Sequence, residues 1–376
     1  MEIIDAPETQ AIKYTGSKLK LLPFILSLSK KAAGGRGNAA VFDGFSGSTR
    51  VSQAYAKSGY NVYANDAAPY SKIFNTAFLM NTKAPESYQP LIDHLNALKP
   101  VDGWFTEHYG GDGTQSISAN GDGLKKPWQK KNTRKLDAVR NEIDNLNLEE
   151  VTKAVAITSL ILALDRVDST LGHFASYLNE WSPRSYNDMK LEVPDLWINE
   201  NKNYVMNYDI FEAVEKLPDN IIIAYYDPPY GSNNEKMPPS RVRYASYYHI
   251  WTTICLNDRP DLFGRAKRRS DTSDTVACSV FEEFRKGPSG KFIVIEAIEK
   301  LIKLTPANYI ILSYSSGGRA TAQELNDVLN AYGRVIEIEK INYKKNVMAE
   351  MKWTNDWVKD AQEDNYEYLF LMEKRG

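Results

Sequence analysis

The hydrophobic pattern of this sequence is clearest at residues 221–226, a β-branched and aromatic run with no polar face. Such a run is typical of a strand that is buried on both sides in a parallel sheet. Asp227 and two prolines follow it. Proline cannot continue a central strand, and the residue before a proline is held extended. The pattern therefore predicts that Asp227 lies at the carboxyl edge of a sheet, with Tyr230 just beyond, where open α/β sheets bind ligands.

Two earlier apolar runs also end in acids. Residues 39–42 lead into Asp43, a loop containing Gly44 and Gly47, and then an amphipathic pattern, which together predict a strand, a turn and a helix. The loop lacks the Gly-Lys-Ser/Thr ending of a phosphate-binding loop. The next predicted strand ends at Asp66, a position that commonly binds ribose hydroxyls. The alternative for Asp66 is a helix-capping role.

A third candidate segment lies near the start, at residues 14–18, which read Tyr-Thr-Gly-Ser-Lys. Thr15-Gly16-Ser17 predicts a turn that begins a helix, with Ser17 as its N-cap. A helix N-terminus beside Lys18 favours a carboxylate ligand. An ordinary capped helix is the alternative.

Composition adds limits but no function. The 376 residues are 43% hydrophobic and 25% charged, as in a globular protein, and the net charge of −2 gives no global sign of a polyanionic partner. Cys255 and Cys278 form no disulfide framework, and the four histidines lack metal-ligand spacing, so we expect no metal. The beginning of the sequence lacks the apolar core of a signal peptide, and no run could span a bilayer, which predicts a soluble, cytoplasmic protein with no membrane partner.

The segment Asp227-Pro-Pro-Tyr230 suits chemistry on the amino group of a base. The lone pair of that group is delocalised into the ring, and acceptors for its N–H bonds draw the pair back onto nitrogen. The Tyr230 ring can stack on a base taken out of its helix. The alternative is a strand that ends in a Pro-Pro turn with a surface tyrosine.

Taken in order, residues 14–18, 43–47, 65–66 and 227–230 resemble motifs of the DNA N6-adenine methyltransferases. The resemblance is to the group whose target-recognition region lies between the cofactor motif and the catalytic motif. Residues 207–211 resemble that family's segment carrying an acid for the cofactor adenine, and residues 310–316 and 366–371 resemble its later core strands. Thr49 is a departure, because the family's loop often has a second glycine there.

The resemblance implies a Rossmann-like α/β methyltransferase sheet with an inserted, largely helical target-recognition region. It also implies S-adenosylmethionine as cofactor, with its carboxylate near Tyr14 and Lys18, its amino group facing Asp43, its ribose on Asp66 and its adenine on Asp209 and Ile210. The implied cofactor-binding set is Tyr14, Lys18, Asp43, Phe45, Ser46, Gly47, Ser48, Asp66, Asp209 and Ile210. Asp227 and the Pro228 carbonyl would accept from adenine N6, Pro229 would stiffen the loop, and Tyr230 would stack on the base.

The same resemblance divides the chain into a split catalytic domain, residues 1–83 and 203–376, and a recognition insertion, residues 84–202. Residues 232–290 form a further candidate DNA-contacting loop. Basic residues in these regions suit a DNA backbone, although a solvated charged face is the alternative for each. The predicted DNA contacts are Lys125, Lys126, Lys130, Lys131, Arg134, Lys135, Arg241, Arg243, Arg268 and Arg269.

The implied activity is site-specific methylation of adenine N6 in duplex DNA by base flipping, as in restriction-modification. A cognate restriction endonuclease is a candidate partner, and the sequence does not decide whether one exists. A cytosine C5 enzyme would need a Pro-Cys nucleophile, which is absent, and an N4-cytosine enzyme more often has serine in place of Asp227. The alternatives are an RNA adenine or N4-cytosine methyltransferase, and a non-catalytic, cofactor-sensing DNA-binding protein.

Overall fold

The structure is a computed structural model that describes residues 3–112, 125–231, 243–273, 279–283, 285–343 and 365–375. The strands are β1 (Ala40–Asp43), β2 (Asn61–Asn65), β3 (Gly110–Gly111), β4 (Trp128–Gln129), β5 (Tyr204–Met206), β6 (Ile221–Tyr226), β7 (Leu262–Phe263), β8 (Arg268–Arg269), β9 (Tyr309–Ser315), β10 (Gly333–Tyr343) and β11 (Asn365–Lys374). The helices are α1 (Leu22–Ala33), α2 (Arg50–Lys57), α3 (Pro69–Leu79), α4 (Gln89–Ala97), α5 (Trp104–Tyr109), α6 (Lys130–Asn145), α7 (Glu150–Arg166), α8 (Ile210–Glu215), α9 (Tyr244–Tyr247), α10 (His249–Leu256), α11 (Ile293–Leu304) and α12 (Ala322–Tyr332).

Within the described residues, the main sheet has seven strands in the order β10-β11-β9-β6-β1-β2-β5. β5, β2, β1, β6 and β9 pair in parallel, and β11 pairs antiparallel with both β9 and β10. The chain leaves β1 for β2 on one side, while β6 pairs on the other. This reversal of strand order between β1 and β6 creates the crevice at which α/β sheets bind ligands.

Helices cover both faces of this sheet, as the uniformly apolar strands require. Val41 and Ile223 pack with α1 and α2 on one face. Phe42 and Ala224 pack with α8, α11 and α12 on the other. The mixed α/β architecture and the largely parallel sheet are therefore confirmed, and β1, β2, β6, β9 and β11 overlap the segments predicted from sequence.

Helices α4–α7 lie within residues 84–202, and α6 and α7 share a hydrophobic core with α3 and α10. Helix α7 begins after Glu149, whose side chain caps it by accepting from the backbone N–H groups of Val151 and Thr152. Every residue of α7 from Ala154 to Leu164 is buried. Consequently α7 is the centre of this helical layer and not an amphipathic surface helix.

The predicted N-cap at Ser17 is wrong. Ser17 donates its backbone N–H to the Tyr14 carbonyl in a turn, a short 3-10 segment follows at Leu19–Leu21, and α1 begins at Leu22 with no side-chain cap. Pro23 lies in the first turn of α1, where a missing N–H costs nothing. The later start leaves residues 14–18 as a loop whose side chains reach the sheet edge.

Among the described residues, no helix is both long and apolar enough to cross a membrane. In the same part of the chain, no group of three His, Cys, Asp or Glu side chains gathers as it would around a metal ion.

Candidate active site

The carboxyl ends of three neighbouring parallel strands meet at one edge of the sheet, where Asp66 and Asp227 line one cavity and Asp43 is completely buried. Asp43 ends β1, Asp66 follows β2 and Asp227 follows β6. The cavity has a volume of about 710 Å³, and Asp66, Asp209 and Asp227 are among its lining residues. The strand ends that the sequence predicted to bind ligands are therefore brought together.

The loop after β1 allows close approach of its backbone to the cavity. A Cβ on Gly44 would lie 2.6 Å from the Tyr226 ring and 2.9 Å from Ile210, so no side chain fits there. Gly47 has φ +47°, in the left-handed region that favours glycine. Thr49, the departure from the family pattern, also has positive φ, at 67°. Its hydroxyl accepts a hydrogen bond from Gln53 at 2.9 Å, which helps to hold this strained conformation.

Asp66 fixes this loop to the neighbouring strand. Its Oδ2 accepts from the Gly47 backbone N–H and its Oδ1 from the Ala68 N–H, both at 2.8 Å. Burial raises the pKa of Asp66, although these hydrogen bonds oppose the shift. Each carboxylate oxygen keeps a second lone pair, so a ligand hydroxyl can still bind.

Asp43 is fully buried, and its two oxygens differ. Oδ2 accepts from the Ser52 hydroxyl at 2.6 Å, whereas Oδ1 is buried without a hydrogen-bond partner among the described residues. Burial raises the pKa of Asp43 to about 7, assisted by the charges of Asp227 and Asp66. An unpaired buried carboxylate oxygen favours a cationic or N–H ligand group.

An aromatic wall lines the same cavity. The Phe211 and Phe281 rings stack at 5.9 Å between centroids, and Phe45 meets Phe281 edge-on at 5.3 Å. Asp209 caps α8 by accepting from the Phe211 N–H at 2.9 Å, and Ile210 is buried beside it. An acid at the edge of an apolar aromatic slot suits a planar ring that carries an amino group.

Lys18 lines the cavity and lies at the catalytic motif. Its Nζ is 2.9 Å from Asp227 Oδ1 and 3.1 Å from Glu367 Oε1, and it donates to the Tyr230 hydroxyl at 3.1 Å. The side chain is 6% exposed. Two carboxylates already engage this ammonium, so its position favours a role beside Asp227 over the predicted role at the cofactor carboxylate.

Asp227 is held in a buried, charged environment. Burial raises its pKa to about 7, the Lys18 ammonium opposes this shift, and the Glu367 charge adds to it. Pro228 is buried, and Pro229 lines the cavity. A carboxylate in such surroundings gains strongly from a hydrogen-bond donor that enters the cavity.

Tyr230 is fixed at both ends. Its carbonyl accepts from the Arg319 backbone N–H at 3.1 Å, and its ring lies 5.1 Å from the Tyr314 ring. A Cβ on Gly318 would lie 2.9 Å from the Cβ of Tyr230. The aromatic plane after the two prolines is thus held in one orientation by its hydroxyl, its carbonyl and its neighbours.

Tyr14 lines the cavity as part of a cluster of tyrosines. It stacks on Tyr248 with centroids 4.5 Å apart, and its hydroxyl lies 3.4 Å from that of Tyr70. Tyr248 accepts from the Thr15 N–H at 2.7 Å. Ser46 and Ser48 are also buried in the loop that lines the cavity, and Ser46 donates to the Asn65 carbonyl at 3.0 Å.

Several basic residues predicted to contact DNA are directed inward. Lys125, Lys126 and Arg243 are buried, and Lys126 Nζ donates to the His108 carbonyl at 2.8 Å. Lys135 Nζ donates to two carbonyls at the end of α4, at 2.7 and 2.6 Å. Charges that are buried or engaged internally are not available to phosphates, which favours structural roles for these side chains.

Arg269 is the clearest case of a predicted DNA contact whose charge is engaged inside the protein. It is 4% exposed, and its guanidinium binds both oxygens of Asp258 at 2.7 Å and both oxygens of Asp271 at 3.0 and 2.8 Å. The predicted DNA contact is not supported here, because two carboxylates already surround this cation. The sequence did not reveal this pairing.

The remaining predicted DNA contacts are at least partly exposed, except for Arg241, which is not among the described residues. Lys130 and Lys131 are exposed, and their Nζ atoms lie 3.8 Å from Asp102 and 2.6 Å from Asp188. Arg134 shares Asp102 at 3.1 Å. The partly exposed Arg268 lies over the Phe263 ring, 4.6 Å from its centroid.

Sequence reasoning missed Arg50, Phe281, Glu282 and Glu367. Arg50, Phe281 and Glu282 line the cavity. The Arg50 Nε is buried and has no hydrogen-bond partner in the described part of the chain, which suits a carboxylate ligand. Burial raises the pKa of Glu282 to about 7. Glu367 could not be recognised as a site residue from the sequence, because a polar residue in a strand is typical of a solvent-facing position.

The largely parallel sheet and the cavity at its carboxyl edge are consistent with a methyltransferase fold. The sequence model of the D12 class N6 adenine-specific DNA methyltransferases matches residues 14–283. That span is well over half of the chain, and the chain belongs to this family.

Similar proteins are a modification methylase and type II methyltransferases. The chain is 27% identical to the modification methylase StsI of Streptococcus sanguinis, over 97% of this chain and 52% of that protein. It is 24% identical to the type II methyltransferase M.NlaIII of Neisseria lactamica, over 96% of this chain and 99% of that protein. It is 25% identical to the type II methyltransferase M.FokI of Planomicrobium okeanokoites, over 96% of this chain and 53% of that protein. The chain thus spans about half the length of StsI and M.FokI and nearly all of M.NlaIII.

Proposed function

We propose that this protein transfers a methyl group from S-adenosylmethionine to N6 of adenine at a specific site in duplex DNA. The observation that carries the proposal is the meeting of Asp227, presented by two prolines, with the glycine loop and Asp66 around one cavity. Family membership gives the reaction class. The names of the similar proteins favour a modification enzyme that protects DNA from a cognate restriction endonuclease.

The residues around the cavity fit S-adenosylmethionine. The unpaired Asp43 Oδ1 suits the amino group, Asp66 the ribose hydroxyls, and Asp209 with Ile210 and the aromatic wall the adenine. Gly44 and Gly47 leave room for close backbone approach, with Phe45, Ser46 and Ser48 beside them. We assign the carboxylate to Tyr14 and Arg50, because two acids already hold Lys18. When bound, the cofactor supplies a methyl group that its sulfonium already activates.

The chemistry left to the protein is orientation and lone-pair localisation. We propose that Asp227 and the Pro228 carbonyl accept the two N–H bonds of the target amino group, which returns the lone pair to nitrogen. Tyr230, fixed by Lys18 and the Arg319 N–H, stacks on the flipped base. No covalent nucleophile is needed, and the carboxylate must be ionised to act fully.

We further propose that residues 84–202 form the target-recognition insertion, with residues 232–290 as a second DNA-contacting region of the split catalytic domain. The exposed Lys130 and Lys131 of α6, with Arg134 and Arg268, are the proposed phosphate contacts. Their charges are partly shared with nearby acids at the surface, where exchange for a phosphate costs little.

The test is methyl transfer from labelled S-adenosylmethionine to unmethylated genomic DNA, followed by nucleoside analysis and site mapping. N6-methyladenine at one short motif is expected. N4-methylcytosine would overturn the base assignment, and stronger labelling of structured RNA would overturn the substrate. The matched control is Asp227→Ala, which should abolish transfer and leave cofactor binding within a few-fold of wild type. DNA binding without any methyl transfer by the wild type would favour a non-catalytic protein.

A further inference from the structure

Glu367 reaches the catalytic motif from the far end of the chain. It lies on β11, is 5% exposed, and accepts a hydrogen bond from the Ser313 hydroxyl of β9 at 2.8 Å. Its Oε1 is 3.1 Å from Lys18 Nζ, which is also 2.9 Å from Asp227 Oδ1. Ser313 and Glu367 both lie beyond the residues matched by the family. Two core strands therefore contribute a polar pair to the site.

The charges of this cluster do not balance. One buried ammonium serves two carboxylates, the buried Glu367 and the partly buried Asp227, so whatever strengthens its contact with one weakens its contact with the other. We infer that Glu367, held in place by Ser313, is a positioning residue that sets how fully Lys18 engages Asp227 and thus the charge state of the acid that receives the target amino group. This inference rests on the proposed function.

The other groups that face Asp227 limit what else could change its charge. The charged and titratable neighbours are Lys18, Glu367, Asp43, Tyr225, Tyr230 and Tyr244. Burial raises the pKa of each of these three tyrosines well above its usual value, so they stay neutral near pH 7. Glu367 is therefore a neighbour whose charge can be removed without altering a direct contact of Asp227.

Glu367→Gln is the main test. Glutamine has the same shape and can still accept from Ser313 and Lys18, but it carries no charge. The negative charge of Glu367 raises the pKa of Asp227. Its removal should move the acid limb of the kcat/KM profile to lower pH, by about two units for carboxylates that share Lys18 Nζ and an effective dielectric constant near 20.

Ser313→Ala changes the cluster in the opposite sense. Without the hydroxyl, the Glu367 charge is concentrated and competes more strongly for Lys18. The acid limb should therefore move to higher pH. A general loss of packing is not expected to move the acid limb in opposite directions in Glu367→Gln and Ser313→Ala. Glu373→Gln is the matched control, because Glu373 lies on the same strand but pairs with Arg334 at 3.0 Å, and its profile should match wild type.

A second readout does not depend on turnover. In full-length protein labelled with ¹³C at the aspartate carboxyl, the signal lost in Asp227→Asn assigns Asp227, and its titration should show the same shifts. Unchanged profiles and titrations in both variants, with an active wild type, would overturn the inference and leave the proposed function intact. A wild type inactive on every nucleic acid would instead overturn the proposed function, and the titration would still decide the role of Glu367.

Discussion

Gly47 donates its backbone N–H to Asp66 Oδ2 at 2.8 Å, which ties the loop after β1 to the end of the neighbouring strand β2. The same carboxylate accepts from the Ala68 N–H. Asp66 therefore shapes the loop that would surround the cofactor, in addition to any contact with the cofactor itself. The helix-capping alternative and the ligand-binding prediction for Asp66 are compatible, because different lone pairs serve the two roles.

Asp66→Ala should weaken S-adenosylmethionine binding at least about fivefold, since it leaves the two N–H groups without the acceptor that shapes the loop, at a cost of about 1–3 kcal/mol. Isothermal titration calorimetry measures the affinity. Asp93→Ala is the control, because Asp93 lies on the exposed face of α4, where it accepts a hydrogen bond from Gln89 at 2.8 Å, and it is not a lining residue of the cavity. Wild-type affinity in Asp66→Ala would contradict this role for the loop.

The methylation rate should depend on pH through Asp227. Its pKa is raised to about 7, first by burial, so the protonated form accumulates below that pH. A protonated carboxyl is a poorer acceptor for the target amino group, and kcat/KM should therefore rise with pH up to about 7 and level off above it. Initial rates from pH 5.5 to 8.5 at constant ionic strength test this. A flat profile would show that ionisation of Asp227 is not required.

How much of this site could be read from the sequence depends on the range of the interactions. β1, β2 and β6 were predictable because an unbroken apolar run followed by an acid or proline is a local signal. The loop at Gly44 and Gly47 was predictable for the same reason. The contact of Lys18 with Glu367 was not, because only the pairing of β9, β11 and β6 brings these residues together.

Charge patterns were the least informative feature. The basic residues in and just before α6, and those of the β7–β8 hairpin, looked like one class in the sequence. The fold separates them, since Lys126 meets a carbonyl and Arg269 two acids, whereas Lys130 and Lys131 remain at the surface. A count of like charges cannot show which of them are neutralised by distant acids.

The ionised carboxylate of Asp43 should lower the stability of the protein when no cofactor is bound. Its pKa rises from 3.8 to about 7 on folding, mainly because of burial, so the folded state holds the proton more tightly. For an acid whose pKa is raised on folding, the contribution of that acid to stability is most favourable below its unfolded pKa and is lost as the pH rises towards its folded pKa. For Asp43 this window runs from about pH 4 to about pH 7. Asp43→Asn should thus be more stable than wild type at pH 8, by a few degrees in Tm, and little different at pH 4.5.

The comparison is made by thermal unfolding without cofactor at both pH values. Asparagine can still accept from Ser52, which makes the substitution close to isosteric. The same variant should bind S-adenosylmethionine more weakly, because it lacks the charge that faces the amino group. A Tm difference that is equal at the two pH values would show that ionisation of Asp43 is not its cause.

Arg269 should act on stability and not directly on DNA. Arg269→Met keeps much of the side-chain volume but leaves Asp258 and Asp271 without their shared cation, and we expect a loss of about 2 kcal/mol in the free energy of unfolding. Arg334→Met, which breaks an exposed pair with Glu373, is the control and should cost less than about 1 kcal/mol. Urea unfolding measures both.

By contrast, the double variant Lys130→Ala, Lys131→Ala should leave stability unchanged and reduce the salt dependence of DNA binding, because it removes cations able to displace counterions. If Arg269→Met instead kept wild-type stability and reduced that salt dependence, the original prediction of a DNA contact at this residue would be restored.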